Sequence, residues 1–358
     1  MSRGGRGESH PSSFRLSTLR VPPSGLIKVL DATLRVRLNS PAGKRNQAMC
    51  LFPTQIKNPR YLPNKKNSGS PPTPEDERKR YIEIPCGQCS ECMKNRAREW
   101  RVRIEWENSS QERSIFTTLT FDGDALLEIE KEKNTNEGVA KLIEKFRKRW
   151  YKKYKEPLRH WLVTELGEKN ERIHLHGVLW TQKKESEIAE IWGYGRIEAY
   201  EQIRPEGVKY ITKYVYKSNE KDPKFRGKVF ASKGIGAAWF NSIEADQIKY
   251  QGEDTRLYIR TNDGFKCAIP EYYKKKKINP IERGMLWSIK LNKGEKYIKG
   301  LKYNMMDGEE VANYMRYTKQ RQDDERTLYR DRDYKKEEYD KEKQYQKTIE
   351  KFANQKIM

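Results

Sequence analysis

The sequence predicts an α+β domain built on a central antiparallel β-sheet flanked by helices, and three observations carry that prediction. RSIFTTLTFDGD, at 113–124, runs β-branched and aromatic residues into Asp-Gly, as a strand ending in a turn does. RHWLVTEL (159–166) and RIHLHGVLW (172–180) are two strand-like runs joined only by the polar GEKNE, a hairpin-length link. Between and after them lie helical stripes. Val139, Leu142, Ile143, Phe146 and Trp150 share one face in NEGVAKLIEKFRKRWYKKY, and Val208, Ile211 and Val215 share one in RPEGVKYITKYVYK, where a proline stands near the start. The order is strand, helix, strand, strand, helix.

Upstream, residues 1–80 are rich in Gly, Ser, Pro and basic residues, and PNKKNSGSPPTPEDERKR has too little apolar material to fold by itself. LIKVLDATLRVRL, at 26–38, partly alternates and marks a small β-element. From Arg80 the chain reads as a short strand, a cysteine cluster and a helix with Met93, Ala97, Trp100 and Ile104 at helical spacing. ESEIAEIW (185–192) is a short helix. Beyond 220 the patterns thin, and LWSIKLN and EKYIKGLKY fit strand or helix equally. From Asn313 to Lys351 the chain is charged, with scattered tyrosines and neither Pro nor Gly, as expected of a long solvated helix or a nucleic-acid-binding tail. The expected division is a variable region at 1–80, a cysteine-rich knuckle and basic helix at 81–111, a core at 112–220, a region of undetermined fold at 221–312 and a charged helical tail at 313–358.

Seventy-four Lys and Arg against 51 Asp and Glu leave a formal charge of +23, which calls for a polyanionic partner, nucleic acid before acidic membrane. No apolar run approaches the roughly 20 residues that span a bilayer, and the first 20 residues lack the apolar stretch of a signal peptide. Five cysteines, three of them crowded into 86–92, do not resemble a secreted disulfide framework. A reducing compartment and no membrane partner are expected.

Two of the four histidines stand one residue apart in RIHLHGVLW. On a strand, His174 and His176 point to one face while Ile173, Leu175 and Leu179 line the other. Two imidazoles from one face can hold a divalent ion, and Glu165, near the end of the paired strand, is the candidate third ligand. Downstream, Tyr210 and Tyr214 are about 40° apart around a helix and about 6 Å apart along it. Lys209, Lys213 and Lys217 repeat beside them, and Tyr216 points elsewhere. Phenols, a metal-binding face and cations are what cleavage of a phosphodiester through a tyrosine requires: a nucleophile and a sink for developing negative charge. The alternatives stay open at this level. The histidines fit the wet face of an edge strand, the tyrosines fit an amphipathic helix packing its rings on a core, and Glu165 fits a surface carboxylate.

HLH followed by YITKYVYK, with FTTLTF upstream, resembles the three motifs of the HUH endonucleases, and most closely the replication initiators of the small single-stranded DNA phages called microviruses. PCGQCSECMKNRAREW is similar to the cysteine-rich stretch of their gokushovirus branch. The resemblance covers about 81–220 and implies an HUH-type nuclease domain acting in rolling-circle replication. One tyrosine nicks origin single-stranded DNA, stays on the 5′ phosphate and frees a 3′ hydroxyl, and the second lets the displaced strand be circularised. It implies His174, His176 and Glu165 as ligands of Mg²⁺ or Mn²⁺, Tyr210 and Tyr214 as nucleophiles, and Lys213 as electrostatic helper. Thr118 and Thr120 belong to the first motif's strand as structural residues. Host helicase and polymerase are the implied partners, in the cytoplasm of a bacterial host. Ile173 stands where relatives would carry proline, which bears on loop shape more than on ligation. A plasmid initiator, relaxase or transposase shares the core chemistry, and a non-catalytic basic DNA-binding protein with a zinc knuckle is the alternative from another class.

Cys86, Cys89 and Cys92 make C-x-x-C-x-x-C, whose thiolates converge on zinc or an iron–sulfur cluster. A structural Zn²⁺ would need a fourth ligand, and Cys50, Cys267 and His160 are all candidates, as is a cluster that is merely packed. Arg96, Arg98, Arg101 and Arg103 follow on the basic helix and, with Lys209 and Lys217, are the expected contacts to DNA phosphates.

Overall fold

The computed structural model describes residues 50–167, 171–201, 205–217, 225–298 and 301–327, all within the chain's second compact unit, Arg45–Met358. The β-element expected at 26–38 and the tail beyond 327 lie outside the described residues. A short antiparallel pair, β1 (Thr54–Lys57) and β2 (Tyr81–Ile84), precedes the helix α1 (Ser90–Ser110). The core runs β3 (Ile115–Thr120), α2 (Gly123–Glu130), α3 (Thr135–Tyr154), β4 (Arg159–Leu166), β5 (Ile173–Trp180), α4 (Glu185–Trp192), β6 (Ile197–Glu201), α5 (Pro205–Thr212) and β7 (Val229–Ala231). Five of these strands form one antiparallel sheet in the order β6-β3-β5-β4-β7, so the fold is α+β with a central five-stranded sheet. Its last strand comes from beyond residue 220.

Strand alternation divides the core into two layers. Ile115, Leu119, Leu162, Ile173, Leu175 and Leu179 face α2, α3 and α4, and Phe146, Trp150 and Trp192 fill that side. On the other face, Trp161, Val163, Val178 and Trp180 pack against Ala97 and Ile104 of α1 and Val208 and Ile211 of α5. The face that carries the histidines is therefore covered by helices over half its length, and only its far end stays open to chemistry. Helix α1 also serves a third cluster, turning Val102 toward Trp239, Ile259, Ile269 and Tyr273.

After the sheet come a helical turn, α6 (Ile243–Asp246), the pair β8 (Tyr258–Arg260) and β9 (Lys266–Ala268), and helices α7 (Glu271–Lys277) and α8 (Pro280–Lys293). LWSIKLN lies in α8, which Asn279 caps and Gly294 ends in the left-handed conformation at φ 56°. EKYIKGLKY forms the antiparallel pair β10 (Glu295–Ile298) and β11 (Leu301–Asn304). Residues 308–327 are helical, as the charged pattern predicts for the part of the tail they include. No helix among the described residues is long and apolar enough to cross a membrane.

Two buried positions give this architecture measurable consequences. Gly177 follows the second histidine because β4 approaches there. A Cβ at that point would sit 2.1 Å from the Trp161 carbonyl oxygen, which a strand backbone cannot yield. Gly177→Ala is expected to lower unfolding free energy by roughly 3 kcal/mol in urea denaturation, at the upper end for overpacked cores. His160 is 3% exposed on β4, its Nδ1 2.9 Å from the Leu158 carbonyl and 2.9 Å from the Ser232 hydroxyl. Burial pushes its pKa down from 6.5 to about 4, so the folded state binds fewer protons than the unfolded chain between those values. Stability is then expected to fall as pH drops from about 6.5 to about 4, by roughly 3 kcal/mol from this residue. Urea midpoints of His160→Gln across that range should lose this part of the slope.

Candidate active site

The hairpin of β4 and β5 sets Glu165 directly opposite His174, with His176 opposite Val163, so all three functional side chains rise from one sheet face. The Glu165 Oε2 lies 3.1 Å from His174 Nε2 and 2.7 Å from His176 Nε2, and the two Nε2 atoms are 3.0 Å apart. Each ring is oriented from behind. His174 Nδ1 lies 3.1 Å from the carbonyl of Arg172, which can only accept, so Nδ1 carries the proton and Nε2 presents a lone pair. His176 Nδ1 lies 3.1 Å from the Thr118 hydroxyl on β3, its neighbour in register. Three lone-pair atoms thus face one another at the spacing of cis ligands, which stand about 3.0 Å apart when bonds are about 2.1 Å long. Two imidazoles and a carboxylate on one face, with the opposite side open, fit a divalent cation.

The charge balance agrees with that fit. Burial opposes ionisation of Glu165, but the contacts from His174, His176 and Lys217 outweigh it and hold its carboxyl well below the usual carboxylate range. Burial pushes the His176 imidazole down, toward the neutral form a metal requires. Lys217 pairs with the other carboxylate oxygen, Oε1, leaving Oε2 for the centre.

The tyrosines stand beside this group. The Tyr214 ring stacks on His176, centroids 4.2 Å apart and planes within 10°, and its hydroxyl donates to the Tyr210 hydroxyl at 2.7 Å. Tyr214 is 5% exposed, and Tyr210 is 48% exposed. Helix α5 ends at Thr212 and tightens into a 3-10 turn over Lys213–Val215, so the two phenols meet across a change of helix type rather than along one α-helix. Lys213 Nζ sits 3.8 Å from the centre of the Tyr210 ring and 5.3 Å from that of Tyr214. Tyr216 is exposed and outside the cluster.

Other sequence-derived candidates are placed differently from one another. Arg96 and Lys209 are exposed, and Arg98 is half-buried and bonded to Asn95. Arg101 pairs with Glu105 at 2.8 Å and Asp263 at 2.9 Å. Arg103 lies between the rings of Trp100 and Tyr272, and its Nε donates to the Ile235 carbonyl. The four arginines therefore do not form one outward face, because α1 is packed on two sides. Thr118 takes part as the residue that orients His176, and Thr120 bonds the Arg196 backbone.

Cys86, Cys89 and Cys92 gather with Cys50, and their sulfur atoms all lie within 4.8 Å of one another. Cys89 and Cys50 sulfurs are 3.9 Å apart and those of Cys86 and Cys92 4.0 Å, far beyond a disulfide bond. The backbone N–H of Cys89 points at Cys86 Sγ from 3.3 Å and that of Cys86 at Cys50 Sγ from 3.1 Å. This second group also can hold a metal ion. Cys267, buried beside the Ile259 carbonyl with its thiol pushed up to about 12, and His160, inside the sheet, are the candidates it leaves aside.

Comparison with known proteins places this arrangement among viral replication proteins. Residues 114–219, which run from the strand bearing Thr118 past both tyrosines, match the family model described as Replication-associated protein ORF2. Particular relatives are the Replication-associated protein VP4 of Bdellovibrio phage phiMH2K, 24% identical over 65% of this chain and 80% of its own length, and the Replication-associated protein ORF4 of Chlamydia phage 1, 23% identical over 53% of this chain and 52% of its own. The Replication-associated protein ORF2 of Spiroplasma virus 4 is 25% identical over 63% of this chain and 78% of its own length. These matches support the resemblance to a microvirus-like replication initiator that the motifs carry. No solved structure matches the chain.

If Thr118 orients a ligand ring, removing its hydroxyl alone should be felt at the metal. Thr118→Val is expected to weaken Mn²⁺ binding, followed by titration calorimetry, by about 10- to 100-fold while leaving the circular dichroism spectrum unchanged. Unaltered affinity would make that contact structural only.

Proposed function

We propose that this protein is a rolling-circle replication initiator, an HUH endonuclease that nicks single-stranded origin DNA through a tyrosine and later rejoins the displaced strand. The observation that carries this reading is the juxtaposition of Tyr214 on His176 with its hydroxyl on that of Tyr210, beside the Glu165, His174 and His176 group. Residues 112–220, with β7 at the sheet edge, form the catalytic part in this reading. A divalent Mg²⁺ or Mn²⁺ held by the three ligands would polarise the scissile phosphate and stabilise negative charge on its oxygens. Zinc is the ion proposed for the four thiols, whose 3.9 and 4.0 Å separations approach the roughly 3.8 Å edge of a tetrahedron with bonds near 2.3 Å.

The chain's own groups do the rest. One phenol oxygen forms a bond to phosphorus as the bond from phosphorus to the 3′ oxygen breaks. The phenol proton passes to water, and the departing 3′ oxygen takes up a proton to become a hydroxyl. Lys213, close to both rings, favours the phenolate form and the negative charge on phosphorus. Hydrogen bonding between the two phenols keeps a second nucleophile at the same phosphate, as a cut and a later rejoining require. Arg96 and Lys209, both exposed, are proposed to meet DNA phosphates, and host helicase and polymerase to use the freed 3′ end in the cytoplasm of a bacterial host.

Incubation with single-stranded DNA carrying the replicon's own origin, with Mn²⁺ or Mg²⁺, is expected to yield a protein–DNA adduct that survives denaturant. Tyr210→Phe and Tyr214→Phe alone should each retain single-turnover cleavage, while the double change abolishes the adduct. His174→Ala should lose cleavage with DNA binding largely intact and still steeply salt-dependent. Absence of any adduct on origin DNA would leave the basic DNA-binding alternative in its place.

A further inference from the structure

The helix at 308–327 is held to the protein in an unusual way. The one buried residue within it is a carboxylate, Glu325, at 4% exposure. Its two oxygens accept from the backbone N–H of Ser90 at 2.9 Å and from the Ser90 hydroxyl at 2.8 Å. Ser90 is the first residue of α1, whose own N-cap, Cys89, makes no side-chain cap bond. Glu325 therefore supplies, from 235 residues away, the acceptor that a helix start ordinarily finds locally. Two further contacts join the same places: the Gln322 side-chain amide donates to the Leu51 carbonyl, and the Arg326 guanidinium lies 5.6 Å from the centre of the Phe52 ring.

Both grips bear on the cysteine group. Ser90 lies between Cys89 and Cys92, and Leu51 and Phe52 directly follow Cys50. The four sulfurs are what hold the segment after Cys50 against the loop at 86–92, and Gly87, at φ 73°, lets that loop turn its N–H groups onto Cys86 Sγ. A carboxylate stripped of water needs donors fixed in place, and those donors are fixed only while the loop is.

We propose that Cys50, Cys86, Cys89 and Cys92 bind one zinc ion and that this centre acts as a clasp, building the surface on which the helix at 308–327 docks through Glu325, Gln322 and Arg326. The proposal rests on the zinc assignment made above and is independent of the tyrosine chemistry. Its test uses the full chain without DNA: zinc stoichiometry by atomic absorption, and hydrogen exchange by mass spectrometry before and after removal of the metal with a chelator. One zinc per chain is expected. Its removal should speed exchange across 308–327 by about tenfold or more, with β3 to β5 unchanged, as local rather than global opening would do. Co²⁺ should restore protection and show thiolate charge-transfer absorption that Cys50→Ser lacks. Glu325→Ala should free the helix while keeping its zinc, which separates docking from metal binding where the cysteine variant fails to fold. Absence of zinc from the purified chain and failure of Co²⁺ to give the thiolate band would overturn the metal site. Unchanged exchange at 308–327 after metal removal, or equal loosening of β3 to β5, would overturn the clasp. Failure to form a tyrosine adduct would leave these results untouched.

Discussion

Three atoms carrying lone pairs, two imidazole nitrogens and a carboxylate oxygen, are held within 3.1 Å of one another, and much of the core serves to keep them there. In the neutral tautomer set by the Arg172 carbonyl, His174 has no proton to offer Glu165, so the arrangement lacks an attraction of its own. The backbone register imposes it. Glu165 faces His174 because β4 and β5 pair along eight residues, and a slip of one residue would turn the whole set into the opposite core. Leu162, Leu175 and Leu179 under α3 and α4 make that slip expensive.

The same logic extends outward through α5. Val208 and Ile211 bury against the sheet on the face that bears the histidines, and this burial delivers Tyr214 to the edge of His176. Apolar packing and chemistry share one face: Trp161, Val163 and Val178 occupy one end, the ligand triad the other. Helix α1 backs this layer through Ala97 and Ile104 while its opposite side supports the third cluster through Val102. A helix committed on two sides has little basic surface to offer, which is why Arg101 and Arg103 end in ion pairs and between rings.

Some of this was readable from residue order. Period-two alternation puts His174 and His176 together whatever the rest of the chain does, and a five-residue polar link makes Glu165 their nearest carboxylate. Spacing of four brings Tyr210 and Tyr214 to one side, although the tightening after Thr212 was not signalled by it. In the same way, Asn-Lys-Gly at 292–294 was a usable sign that LWSIKLN closes a helix, since glycine takes the left-handed cap.

What the sequence by itself determined, then, is everything that depends on local geometry: the alternating strands, the amphipathic helices, the paired histidines and the C-x-x-C-x-x-C turn. Tertiary structure decided the partners that come from far away. Cys50 reaches a cluster 36 residues on, Lys217 takes one oxygen of Glu165, Thr118 orients His176 across a strand pair, and Glu325 caps a helix that begins at Ser90. Local periodicity carries no information about such meetings, because they are fixed by which surfaces must be buried together and by which polar atoms, once buried, must find one another.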